Sequence, residues 1–234
     1  MKTNVGLMSV MALAGVIQSA VASDINGKVT LKGTPPPETP ITLDATCGKL
    51  TSTPITTRRY QVGEGGGLAN VFVYVKTGLE GKKYEPKGEA PLLDQVKCVY
   101  EPYVSGVMTN QKFIVRNSDP VMHNVHPTPK NPANKEFNLG QPTKGQTNEK
   151  VFTAPEVLIR FKCDVHPWMF AYLGVVEHPF FAVTDKDGNF KLPSNLPAGT
   201  YTIEAFHVRG GAVTQQITVG ESDTKAVNFT VDVK

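Results

Sequence analysis

The feature that most limits the fold of this chain is a recurrence of short runs rich in Val, Ile, Thr, Phe and Tyr. Gly, Pro, Asn or Asp break them every few residues, and no long amphipathic helical stretch stands beside them. The runs fall at residues 27–31, 69–76, 112–117, 156–163, 180–184, 189–192, 200–206, 213–219 and 226–231. Short strand-like runs between turn residues indicate an all-β chain, either one large sandwich or two small ones. Asp187-Gly188 reads as a two-residue hairpin turn and Pro197-Ala198-Gly199 as another turn. Residues 34–40 are proline-rich, 63–67 glycine-rich and 77–91 charged, while 127–150 reads as one long polar loop.

The N-terminus is organised differently. Lys2 precedes an apolar run from Val5 to Ile17, and Ala20-Val21-Ala22 sets small residues before Ser23. This is the layout of a secretory signal peptide over residues 1–22, cleaved near Ala22. The run is too short for a spanning helix and no later segment approaches that length, so the expected mature chain has no transmembrane segment and is periplasmic or secreted. The formal charge is +3, and removal of Lys2 lowers it by one. A balance so near neutral does not suggest nucleic acid or an anionic membrane as partner. Three cysteines are an odd number for an exported chain. Cys163 belongs to the motif described next, which leaves Cys47 and Cys98 to pair as a disulfide or to stand as two buried thiols.

The chemistry concentrates in residues 157–169, VLIRFKCDVHPWM. Val157, Ile159, Phe161 and Cys163 alternate with Leu158, Arg160 and Lys162, so a strand turns the Cys163 sulfur toward the apolar side. The strand breaks at Asp164, and a Cys-x-x-His-x-x-Met loop brings back His166 and Met169. Upstream, the run at 112–117 and the turn Ser118-Asp119-Pro120 lead to His123. Singly, Cys163 and Met169 are ordinary core residues and His123 an ordinary turn residue. Together, two imidazoles, one thiolate and one thioether are the donor set of a type 1 (blue) copper site. A structural zinc site would take another Cys, His or carboxylate in place of Met169.

Residues 117–126 (NSDPVMHNVH) and 163–169 (CDVHPWM) resemble the two copper loops of cupredoxins, and the short second loop is most similar to the amicyanin type. The resemblance covers about residues 91–176. It implies a Greek-key β-sandwich over 89–178 with one copper per chain, held by His123, Cys163, His166 and Met169. It further implies that Asn124 ties the loops together and donates to the Cys163 sulfur. The ring edge of His166 would reach the surface through an apolar patch near Met122, Pro127, Pro129, Trp168 and Phe170, where redox proteins such as a cytochrome or dehydrogenase dock. Trp168 as a plug of the core is the competing reading.

Residues 182–206, AVTDKDGNFKLPSNLPAGTYTIEAF, resemble transthyretin-like, carboxypeptidase-regulatory β-sandwich modules, which implies a scaffold and no catalysis. Such modules open with strands like INGKVTLKG and LANVFVYVK, found here at 25–33 and 68–76. The expected organisation is therefore N-terminal strands at 23–88, a cupredoxin-like domain at 89–178, and a transthyretin-like β-sandwich at 179–234 that the N-terminal strands complete. The alternative is that the early strands extend the copper domain.

The expected function is an exported electron carrier that cycles Cu(I)/Cu(II) and, with no open position for substrate, is not an enzyme. One alternative is a copper carrier or store. Another is a copper oxidoreductase with a second metal site drawn from His126, His178 and His207, residues otherwise read as structural. A binuclear purple centre needs two loop cysteines, and a multicopper oxidase needs more than the five histidines present.

Overall fold

The computed structural model describes residues 23–234, so the signal-peptide reading of residues 1–22 lies outside the described residues. Among the described residues the helical elements are two 3-10 turns, Cys47–Lys49 and Glu64–Gly66, and the rest of the regular structure is strand. The chain is all-β, as expected.

Two strands lead, β1 (Asp24–Lys32) and β2 (Phe72–Thr77). The middle of the chain supplies β3 (Leu92–Val96), β4 (Val99–Glu101), β5 (Val104–Met108), β6 (Phe113–Asn117), β7 (His123–Thr128) and β8 (Leu139–Gln141). It continues with β9 (Thr147–Lys150), β10 (Glu156–Lys162) and β11 (Phe170–Val176). The chain closes with β12 (Phe181–Val183), β13 (Asn189–Lys191), β14 (Gly199–His207), β15 (Gly211–Val219), β16 (Thr224–Ala226) and β17 (Phe229–Asp232).

β1 pairs with β13, β16 and β17, while β2 lies between β12 and β14 with β15 outside. These sheets share one apolar core, in which Ile25, Val29, Val73 and Val75 from the first two strands meet Ile203, Ala205 and Val231 from the last. The middle strands form two further sheets, β5-β11-β10-β7-β8 and β4-β3-β6-β9. Their core contains Val107, Val115, Val125, Ile159, Phe161 and Val175. The segment between β1 and β2 crosses over: Leu43, Cys47 and Leu50 pack into this second core.

The sandwiches meet where side chains are missing. Gly106 on β5 is in register with Gly174 on β11. A Cβ at Gly174 would lie 2.4 Å from the Phe72 ring, and one at Gly106 would lie 2.6 Å from both Phe72 and Phe181. The two glycines leave a bare patch that admits Phe72, and Tyr74, Val104 and Val176 join it in a small buried cluster.

Three local expectations are corrected. Residues 127–150 are not one loop, because β7 runs through Thr128 and the short polar strands β8 and β9 pair with β7 and β6. The Asp187-Gly188 turn connects β12 to β13, yet those strands belong to different sheets, so it transfers the chain between layers. The inward alternation of β10 is broken by a bulge at Leu158 (φ 58°), after which Ile159, Phe161 and Cys163 point inward.

Candidate metal centre

β7 and β10 are antiparallel neighbours, with Lys162 opposite His126. The start of β7 and the end of β10 therefore lie at the same end of one sheet, which brings His123 beside Cys163. The turn before His123 is held from β6: Asn117 accepts the Asp119 N–H at 2.9 Å and donates to the carbonyls of Val121 and Gln141, both at 2.8 Å. The loop from Cys163 to Met169 is closed by its own backbone. Cys163 N–H donates to the Met169 carbonyl at 3.2 Å and Met169 N–H to the His166 carbonyl at 2.9 Å.

One donor atom each from His123, Cys163 and His166 lies within 4.8 Å of the other two. The two Nδ1 atoms face each other at 2.9 Å, and the Cys163 sulfur is 3.8 Å from Nδ1 of His166. His123 and Met169 are inaccessible to solvent, and Cys163 and His166 are nearly so. All four residues expected as ligands sit in this buried loop pair.

The outer nitrogens are also engaged. His123 Nε2 donates to Asp119 Oδ2 at 2.9 Å, and His166 Nε2 faces Asp44 Oδ2 at 3.4 Å. A carboxylate on Nε2 fixes the tautomer that leaves Nδ1 free for a metal. Asn124 braces the two loops. Its backbone N–H points at the Cys163 sulfur at 3.5 Å, and its side-chain oxygen accepts the N–H groups of Asp164 at 2.6 Å and Val165 at 3.3 Å. Burial disfavours the Cys163 thiolate, but His123 and the N–H groups of Asn124, His166 and Val165 outweigh it and hold the thiol below its ordinary pKa. His166 is lowered by burial and by the neighbouring His123, which favours the neutral, ligating imidazole. Soft and borderline donors, a favoured thiolate and buried ring nitrogens together fit copper.

The surface around the centre departs from expectation. The ring edge of His166 does not emerge through an apolar patch, since the residue is only 3% exposed. The segment carrying Asp44 lies across that edge, pinned by a disulfide between Cys47 and Cys98. Trp168 is half-buried with its ring 5.2 Å from that of His166, and its Nε1–H donates to the Cys98 carbonyl at 3.0 Å. Of the expected patch Met122 is exposed, Pro127 is buried and Pro129, Trp168 and Phe170 are half-buried; Val165 is exposed as well, so Met122 and Val165 each stand directly before a histidine of the centre.

Sequence reading missed Asp44 and the bonding of Asp119, which it took only as part of a turn. Asp119 stands one helical turn's spacing before His123, a usable signal, whereas nothing local marks Asp44. The remaining histidines are engaged elsewhere. His126 bonds Asp164 at 2.7 Å and Glu136 at 2.5 Å. His178 donates to the Val75 carbonyl at 2.7 Å, and His207 accepts the Gly210 N–H at 3.0 Å.

No family model and no curated protein matches the chain. Solved structures do. The chain is similar to a copper-containing nitrite reductase (NirK) from Thermus scotoductus SA-01, at 18% identity and a TM-score of 0.35, over 43% of this chain and a quarter of that one (25%). It is similar to a purple cupredoxin from Nitrosopumilus maritimus at 21% identity over 36% of this chain and 98% of that one, with a TM-score of 0.31. It is also similar to an oxidized amicyanin mutant at 18% identity over 44% of this chain and 97% of that one, with a TM-score of 0.34.

Proposed function

We propose that this chain is an exported type 1 copper protein that carries single electrons between redox proteins such as a cytochrome and a dehydrogenase. The observation that carries the reading is the convergence of His123, Cys163 and His166 donor atoms within 4.8 Å in a buried cluster, with Met169 in the same loop as Cys163 and His166. Copper, when bound there, supplies one-electron exchange between Cu(II) and Cu(I). The chain does the rest. Cys163 and Met169 offer soft sulfur, the two histidines offer Nδ1, and Asp119 and Asp44 hold the rings from behind. Asn124 fixes the spacing between loops, which disfavours rearrangement when the charge of the site changes. Met122 and Val165 give an apolar surface at the ends of both loops, suited to transient docking.

Export is supported by the Cys47–Cys98 disulfide, which belongs to an oxidising compartment. Among the described residues, no helix is long and apolar enough to cross a membrane. We read the chain as a carrier without bond chemistry, because the four donors leave no open position for substrate. The engagement of His126, His178 and His207 in local hydrogen bonds speaks against a second site built from them.

Copper stoichiometry and protein-film voltammetry test the proposal. One copper per chain with a fast, reversible one-electron wave is the expected result. A sluggish wave with ready loss of Cu(I) to an acceptor would favour a copper carrier. Two coppers per chain would favour an oxidoreductase.

A further inference from the structure

A cavity opens beside Trp168. It is a cleft of about 590 Å³ whose walls carry Arg58, Arg59, Arg160 and Arg209 and not one carboxylate. Distant parts of the chain build it, among them the segment before β2, strands β4, β10 and β11, and the turn between β14 and β15. Arg58 is committed, paired with Glu101 at 2.8 Å and hydrogen-bonded to the Tyr100 carbonyl at 3.1 Å. Arg160 makes no ion pair among the described residues, and its guanidinium carbon stands over the Phe170 ring at 4.2 Å from the centroid. Arg59 and Arg209 likewise have no carboxylate partner among the described residues. Trp168 forms another wall. Its N–H is satisfied by Cys98, so what it offers the cleft is its aromatic surface.

Four arginines and no carboxylate around an aromatic wall suit a flat, anionic occupant. Arginine forks pair with planar carboxylates through two hydrogen bonds, and arginine and tryptophan both stack on flat rings. The volume suits a small molecule. We propose that this cleft is a binding site for a small planar aromatic anion of the aryl-carboxylate class, seated on Trp168 with its carboxylate between Arg160 and Arg209. The site is separate from the metal centre but one ring away from His166.

Isothermal titration of the metal-free protein with 2-naphthoate tests the assignment without reference to copper. The comparison ligands are neutral 2-naphthylmethanol and a hexaglutamate peptide. The expected result is one naphthoate per chain, bound at least about tenfold more tightly than the alcohol and the peptide. Arg160 and Arg209 are exposed, so the double variant Arg160→Gln, Arg209→Gln keeps the fold and should weaken naphthoate by about tenfold or more. Trp168→Phe should weaken both naphthyl ligands alike. Equal binding of acid and alcohol, or an unchanged affinity in the double variant, overturns the proposal. Tighter binding of hexaglutamate also overturns it and assigns the cleft to an acidic polypeptide.

Discussion

Asp119 Oδ2 accepts the Nε2–H of His123 at 2.9 Å, and the same oxygen accepts the backbone N–H of Cys98 at 2.8 Å. Its other oxygen accepts the Lys97 N–H at 2.7 Å. One carboxylate thus orients a ring of the metal centre and closes the β3–β4 turn, where Lys97 (φ 55°) and Cys98 (φ 57°) both occupy the left-handed region. In Asp119→Asn an amide N–H must face another donor. We expect copper affinity to fall about 10–100-fold, the range for lost outer hydrogen bonds to a ligating histidine. Stability should fall by about 1–3 kcal/mol for the buried donors left unpaired. Competitive copper titration and denaturant unfolding check the two effects separately.

The disulfide should contribute both stability and cover. It links residues 51 apart in sequence, for which chain entropy gives about 4 kcal/mol. Cys47→Ser with Cys98→Ser should lower the unfolding free energy by roughly that amount. Release of the segment that places Asp44 on His166 should raise hydrogen exchange in residues 41–60 more than in β14. Uniform exchange in both regions would contradict the covering role.

The junction between the sandwiches should be separable from the metal centre. Gly174→Val places methyl groups where Phe72 now packs, an overpacking expected to cost about 1–3 kcal/mol. The metal spectrum of the folded variant should match the parent, because Gly174 lies in the junction and not in either loop of the centre. A shifted spectrum would show that the junction shapes the site.

Acid should destabilise the chain through His207. Burial, helped by the Arg209 charge, lowers its pKa to about 4, against about 6.5 in an unfolded chain. Between those values the unfolded state binds more protons than the folded one. The stabilisation is therefore complete above about pH 6.5 and lost as pH falls toward 4, on the order of 3 kcal/mol in all. His178, lowered chiefly by burial, acts in the same direction. Denaturant midpoints measured from about pH 7 to about pH 4 should fall, and His207→Gln should flatten the curve.

The parts of this protein legible in its sequence are those with local chemistry. The β-runs at both ends of the chain each contain a strand, and the Cys-x-x-His-x-x-Met spacing puts Cys163, His166 and Met169 in one short loop, to which the pairing of β7 with β10 adds His123. The strands of the middle sandwich were harder. β5 and β11 carry Gly106 and Gly174, which weaken a strand pattern but are required by Phe72 from the other sandwich. The Lys97-Cys98 turn has neither Gly nor Asn, since Asp119 supports its positive φ from a distance. β8 and β9 are short and polar and gain their order from β7 and β6. Asp44 reaches His166 because the disulfide and the packing of Leu43 and Leu50 hold its segment against the second core, a relation that no local pattern records.

The central claim concerns a single sulfur, and one measurement reads it directly. Purified mature protein given one equivalent of Cu(II) should develop an intense visible thiolate-to-copper band and the EPR signature of a type 1 centre, both abolished by Cys163→Ser with the fold retained. A colourless protein, or a weak spectrum indifferent to that substitution, would contradict the account.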